Sequence, residues 1–450
     1  MEARSPDVIV VGAGFAGLGA ATALAEAGKR VLVLEARPVP GGRASSFTDP
    51  STRERVDNGQ HLMLGCYRET LAFLDRIGAR SSVRVQESLE VAMVDREGRP
   101  SVLRCPALPS PLHLLGGLAE WEAVSWRDRF SALNLLGPLR RAQRFLATGK
   151  GWLPASPGET VDAWLERNGQ SARLREMLWE PLALAALNQD ARHAAAPVFV
   201  RVLARMFGPD PRDSALAVPL LPLTELYALP AMEFVGARGG EVRLSSPARV
   251  RLSGGRVEAV ETNGASFTPS AVVLATEWMA LAGALCGDPS PLADVLAAAS
   301  ATAASPIVTV NLWFDRPVLD IPFLGLPGRT FQWMFDKRQV FGQDASHLSC
   351  VSSGAAAVVA LSNEALAALA FAELSAAVPR AAAAAVVRRV VVREKRATFS
   401  LAPGQPGRPA TRTAVAGLFL AGDWIETGLP ATIEGAVVSG HRAAHAILSQ

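Results

Sequence analysis

Short apolar runs of two kinds divide this chain. Asp7–Val11 is apolar on every position after the first, which predicts a strand buried on both faces; Phe15–Ala27 carries small and apolar residues at helical spacing, and Arg30–Glu35 returns to a continuous apolar run. The stretch GGEVRLSSPARVRLSGGRVEAVETNGASFTPSAVVLATE predicts three short strands, and its closing VVLAT predicts a further strand of the first sheet. Elsewhere, strand-like runs at Ser88–Val94, Ile307–Phe314, Thr330–Phe335 and Leu348–Ser352 predict a second sheet that floors a cavity. Helical runs such as Thr160–Asn168 and Leu174–Leu187 would roof it. Near the far end, a strand at Leu418–Ala421 precedes a loop and a helix from about Thr432.

The glycines turn this pattern into chemistry. In VVGAGFAGLG, Gly12 permits a tight turn, Gly14 lets backbone N–H groups approach a pyrophosphate, and Gly17 lets helix pack against sheet, with Phe15 and Ala16 between them at the positive helix end. Glu35, followed by Ala36 and Arg37, ends the second strand where a carboxylate can accept hydrogen bonds from ribose hydroxyls. Its charge disfavours a 2′-phosphate. Gly41, Gly42 and Arg43 then form a turn where domains that bind NAD alone usually continue into another helix. A Gly422-Asp423 turn and the N–H groups of Thr432, Ile433 and Glu434 supply a second Gly-rich approach to a ligand, far from the first in sequence.

Composition narrows the class. With 450 residues, 49% of them hydrophobic, the chain is globular and large enough for two or three domains. A net charge of +3 from 45 basic and 42 acidic residues gives no nucleic-acid footprint. Cys66, Cys105, Cys286 and Cys350 are widely spaced with no CxxC and no neighbouring His cluster, which predicts reduced structural cysteines in a cytoplasmic protein and no metal site. Met1–Pro6 offers no basic leader, and no apolar run predicts a transmembrane helix. A second GxGxxG following a strand is absent, so electrons are expected from an external donor or acceptor.

The GGR turn and the AGD…IEGA close resemble the flavin-containing amine oxidase and phytoene desaturase superfamily. That resemblance implies an α/β (α+β overall) fold: a Rossmann-like FAD-binding domain from residues 1–80, 235–300 and 405–450, interleaved with a substrate-binding domain of mixed sheet and helices from residues 81–234 and 301–404. It implies FAD as cofactor, Arg43 near the phosphates or flavin, a main-chain contact to adenine at Val250, Asp423 on the ribityl or pyrophosphate region, and Thr432 and Ile433 at the pyrimidine edge. Gly59, Gln60 and His61 would lie in a loop brought to the flavin.

Within the superfamily, DNGQH (Asp57–His61), LWEPLALAALN (Leu178–Asn188), QWMFDK (Gln332–Lys337) and AGDWIETGLPATIEGAVVSG resemble, over essentially the whole chain, the hydroxysqualene dehydroxylases of bacterial hopanoid synthesis. The resemblance implies reductive removal of the hydroxyl of hydroxysqualene to give squalene. His61 is the first candidate proton donor, with Gln60 orienting; Asp57 is an alternative donor or a turn cap, and a structural role is open for each. The segment from Leu112 to Leu153, with Trp121, Trp126, Trp152, Arg140, Arg141, Arg144 and Lys150, reads either as an interfacial helix pair on the inner face of the cytoplasmic membrane or as an ordinary cover of the substrate domain. Two other readings stand beside the leading one. An oxidative FAD desaturase or amine oxidase is the first, although two tyrosines, Tyr67 and Tyr227, make an amine cage hard to build. The second is a non-catalytic prenyl-binding protein of the GDP-dissociation-inhibitor type, against which the retained glycines, Glu35, GGR and Asp423 argue.

Overall fold

A computed structural model describes residues 6–450. Five parallel strands form the first sheet, in the spatial order Glu241–Arg243, Val31–Leu34, Val8–Val11, Ala271–Leu274 and Leu418–Leu420. The four inner and far-edge strands are apolar on both faces and need cover above and below, whereas the edge strand Glu241–Arg243 is polar and part exposed. The helix Phe15–Glu26 covers one face and is itself crossed by the closing helix Ile433–Leu448. Gly440 marks the crossing: a Cβ there would stand 2.1 Å from the Ala16 carbonyl oxygen.

The second large sheet has seven strands in the order Val386–Phe399, Ala304–Phe314, Ser346–Ser352, Trp333–Asp336, Phe323–Gly325, Glu90–Val94 and Pro100–Arg104. All neighbours are antiparallel except the pair that places Gly325 beside Met93. The Trp333–Asp336 strand starts three residues later than the apolar run from Thr330 suggests, because the Glu373 carboxylate takes the N–H groups of Thr330 and Phe331 at 2.9 and 2.8 Å. Smaller sheets include a four-stranded one holding Ala248–Ser253, and a three-stranded one that joins Met63–Leu64, Leu216–Pro219 and Val83–Val85.

Two helical stretches depart from the α-helical spacing for one shared reason. Arg175–Trp179 and Thr224–Ala228 are π-helical, and each runs into a helix whose second residue is proline, Pro181 and Pro230. Proline has no N–H to give the carbonyl four residues back, so the preceding N–H reaches one residue further. The apolar run Leu174–Leu187 is therefore not one regular helix.

The segment Leu112–Leu153 holds three helices rather than a pair: Leu112–Glu120, Trp126–Leu133 and Leu136–Thr148. Trp121 does not face outward. It is buried and donates its indole N–H to Ser101 Oγ at 3.2 Å, whereas Trp126 and Trp152 are 64% and 71% exposed. Among the described residues no helix is long and apolar enough to cross a membrane, and no group of His, Cys, Asp and Glu could hold a metal ion.

Candidate active site

The two glycine turns meet edge to edge. Gly12 has φ +108°, and a Cβ on it would sit 2.6 Å from the Ala275 carbonyl oxygen; on Gly17 it would sit 1.9 Å from that of Gly12. Gly41 N–H donates to Ala13 O at 2.8 Å, and a Cβ on Gly14 would come within 3.9 Å of Gly42 Cα. The helix after Gly14 has no side-chain cap and no acid in its first turn, so the N–H groups of Phe15, Ala16 and Gly17 point into this cradle with no intrahelical acceptor. Backbone without side chains, at a positive helix end, fits a pyrophosphate.

Glu35 is buried and already half engaged. Its carboxylate accepts from Ala13 N–H at 2.8 Å and Arg37 N–H at 2.9 Å, bracing the turn while leaving a lone pair on each oxygen for ribose hydroxyls. Ala36 and Arg37 are exposed beyond it, and Arg37 donates to Gly42 O at 2.8 Å. Val250 lies mid-strand with Val260 on one side and Leu285 on the other. That strand departs from the ribose end, where Ser246 N–H donates to Glu35 O at 2.7 Å.

Arg43 and Asp423, 380 residues apart in sequence, form an ion pair of 2.6 Å. Arg43 also donates to Ala397 O at 2.7 Å, and burial opposes its charge, but the Asp423, Glu277 and Glu394 carboxylates outweigh burial and hold its pKa above the ordinary arginine value. Gly422, φ +144°, donates its N–H to Ser439 Oγ at 2.8 Å. The closing helix starts at Ile433 with Thr432 as its cap, Thr432 Oγ1 accepting from Gly435 N–H at 3.1 Å. Thr432 N–H is spent on Pro430 O at 2.9 Å, so the donors this end offers a ligand are those of Ile433 and Glu434. Glu434 itself turns away to cap another helix: its carboxylate takes Glu69 N–H, Thr70 N–H and Thr70 Oγ1–H at 3.1, 2.9 and 2.7 Å.

Asp57, Gln60 and His61 occupy one loop but do different things. Asp57 is buried, accepts from Ser46 Oγ at 2.7 Å and Leu223 N–H at 3.0 Å, and pairs at 3.5 Å with Lys337, which is buried as well. This carboxylate, held by three partners, anchors the loop. Lys337 also donates to Gln60 Oε1 and lies 4.3 Å from the Phe341 ring. Burial lowers the Lys337 pKa, an effect Asp57 opposes. With its oxygen held, Gln60 keeps one amide hydrogen for a ligand, the other going to His61 O at 3.3 Å. His61 Nδ1 lies 2.7 Å from Gly59 O, which assigns the proton to Nδ1 and leaves Nε2 as the lone-pair nitrogen; burial lowers its pKa, so the ring is neutral near pH 7.

Beyond Gln60 opens an apolar cavity of about 1390 Å³ of atom-free space, its mouth included. Strand residues Val91, Met93, Leu103, Trp333, Phe335 and Val351 floor it; Leu178, Pro181, Leu182, Val202 and Met206 roof it. Gln60, Thr432 and Glu434 reach this wall, whereas His61 is not among the lining residues. Lys337 was visible in QWMFDK without a role; its signal was a rare lysine in an Arg-rich chain. Tyr227 is not near a substrate: it stacks on Phe15 at 3.6 Å and donates to Gly41 O at 2.7 Å, pinning the GGR turn from behind.

Residues 15–448 match the model of the flavin containing amine oxidoreductases. The chain belongs to that family. As a flavin containing amine oxidoreductase it is an FAD-dependent oxidoreductase, and the cradle fits FAD. Hydroxysqualene dehydroxylases of Rhodopseudomonas palustris and Sinorhizobium fredii are each 31% identical to this family member, over 464 and 458 residues, with 99% of both chains covered. A 15-cis-phytoene desaturase of an Oncidium hybrid cultivar is 26% identical, over 98% of this chain and 78% of the relative. Among solved structures, cyclohexylamine oxidase from Brevibacterium oxydans shares the fold with a TM-score of 0.74 at 17% identity, covering 99% of each chain.

Proposed function

We propose that this enzyme reduces hydroxysqualene to squalene. The observation that carries the reading is the cavity: a mostly hydrocarbon-lined space whose wall includes Gln60 and Thr432, from the segments that also form the flavin cradle. When bound in reduced form, FAD supplies a hydride there. Protonation of the allylic hydroxyl lets the C–O bond break with its electron pair leaving as water, and the hydride closes the remaining carbon cation, so that R–OH, H⁺ and H⁻ give R–H and H₂O. The apolar walls keep out water that would trap the cation, and the rings of Trp333 and Phe335 offer it electron-rich faces.

His61 is the proton source in this reading, acting from behind the wall, since Gln60 and not His61 lines the cavity. With Nδ1–H fixed on Gly59 O, Nε2 is the atom that takes up and returns a proton, and the free amide hydrogen of Gln60 orients the hydroxyl. The relatives named hydroxysqualene dehydroxylase support the substrate, and the exposed Trp126, Phe130 and Trp152 beside Arg140, Arg141, Arg144 and Lys150 support collection of that substrate at the inner face of the cytoplasmic membrane. An external donor recharges the flavin.

The test is a single turnover: photoreduced holoenzyme mixed anaerobically with hydroxysqualene forms one squalene per flavin. No squalene, alongside oxidation of a polyene or an amine by the oxidised enzyme, replaces this reading with the oxidative one.

A further inference from the structure

The cavity wall carries few polar groups, and nearly all are occupied. Gln60 is held by Lys337, Glu434 by Glu69 and Thr70, and Thr432 by Gly435 and Pro430, while Tyr67 bonds Thr432. Arg205 is the charged exception among the described residues; the neutral Trp333 Nε1 and one amide hydrogen of Gln60 are also free. It lies near the end of the helix Ala196–Met206 and lines the cavity beside Cys66 and Glu434. Among the described residues its guanidinium has no hydrogen-bond acceptor and no carboxylate within ion-pair distance, although Glu434 is near enough to be felt. A guanidinium side chain with no protein acceptor thus borders a mostly hydrocarbon space.

The support beneath this fork is firm. Phe207, two residues on, lines the same cavity, and its carbonyl accepts from Ser110 Oγ at 2.9 Å and from Gln143 Nε2 at 2.5 Å. Arg201, one turn earlier, leans on the Phe145 ring at 5.8 Å and is not among the cavity-lining residues. A guest that fills the cavity displaces solvent from this half-buried cation, and a single oxygen on an otherwise apolar guest supplies the acceptor that the protein does not.

We propose that Arg205 reads the oxygen of the substrate, hydrogen-bonding the hydroxyl of a long isoprenoid alcohol and distinguishing it from the hydrocarbon product. The inference rests on the substrate class proposed above. Arg205 keeps its proton throughout; it donates hydrogen bonds to the hydroxyl oxygen and then to the departing water. Product lacking the oxygen is released because this contact has gone.

Oxidised holoenzyme binds hydroxysqualene without turning it over, so affinity is readable from the flavin absorption. Arg205→Met is expected to weaken hydroxysqualene about thirtyfold, the loss of one or two charge-assisted hydrogen bonds, and to change squalene affinity less than about twofold, with FAD content intact. Arg205→Lys, which keeps one donor, gives a smaller but equally selective loss and stands in if the Met variant does not fold. Equal loss for both ligands, no loss for either, or loss of FAD from either variant overturns the proposal. The proposed function fails separately: selective binding that Arg205→Met abolishes, in an enzyme that makes no squalene, leaves the inference standing and removes the reaction.

Discussion

The flavin cradle and the apolar cavity share a boundary at Gln60 and Thr432 but are built on opposite rules. In the cradle the positions are fixed by specific contacts: a Cβ has no room on Gly17, Asp423 answers Arg43, and Glu35 braces Ala13. In the cavity the walls are Leu, Val, Met and Ala, whose contacts are non-directional and interchangeable at similar volume. Single substitutions are therefore severe in the first region and graded in the second.

The sharpest challenge to this contrast is Gly17→Ala. A methyl group 1.9 Å from a backbone oxygen requires the strand, turn and helix to part, and no FAD-loaded protein is expected. A yellow, stable variant would show that the cradle tolerates slack. Next, His61→Asn is expected to lower turnover about 100-fold while retaining FAD, and to remove the rise in turnover as pH falls through the depressed pKa of His61. Stability runs the other way. Burial lowers the pKa of His61, His113, His347 and His441 below the ordinary 6.5, so the unfolded chain binds protons first, and melting temperature falls as pH drops below 6.5. A melting temperature that rises on acidification refutes this.

Asp423→Ala leaves Arg43 without its carboxylate in a largely buried site. FAD affinity is expected to fall about tenfold or more, roughly the loss of one charge-assisted contact, measured by flavin release on dilution. Leu182→Trp, in the cavity roof, is a smaller perturbation in kind: FAD stays bound, while KM for hydroxysqualene rises several-fold because the guest and the indole compete for one space. The gentlest change is Trp126→Ser with Trp152→Ser, which is expected to weaken binding to anionic vesicles by a few-fold and leave single-turnover chemistry in detergent unchanged.

Legibility in the sequence followed the same division. The cradle could be read because its demands are local: glycine where a Cβ has no room, an acid at a strand end, a threonine at a helix start. The cavity could be foreseen only as a need for an apolar space, since which residues line it depends on sheet register and helix rotation. His61 illustrates the limit: one residue, Gln60, separates it from Gly59, and its side chain turns to that carbonyl while Gln60 reaches the cavity wall. Lys337 and Asp57 lie 280 residues apart, and no spacing rule connects them. The π-helical turns were legible in principle, since Pro181 and Pro230 announce the missing N–H, but the apolar periodicity masked them.

The crossing of Ile433–Leu448 over the first helix at Gly440 and Ala16 has a consequence for biosynthesis. The first two strands of the nucleotide sheet are made early, but the sheet also needs Glu241–Arg243, Ala271–Leu274 and Leu418–Leu420, and the helix that follows them seats against Ala16, so the fold closes only after the intervening segments exist. A flavin held by both Gly14 and Asp423 would therefore meet a chain whose cavity-lining segments had already been made.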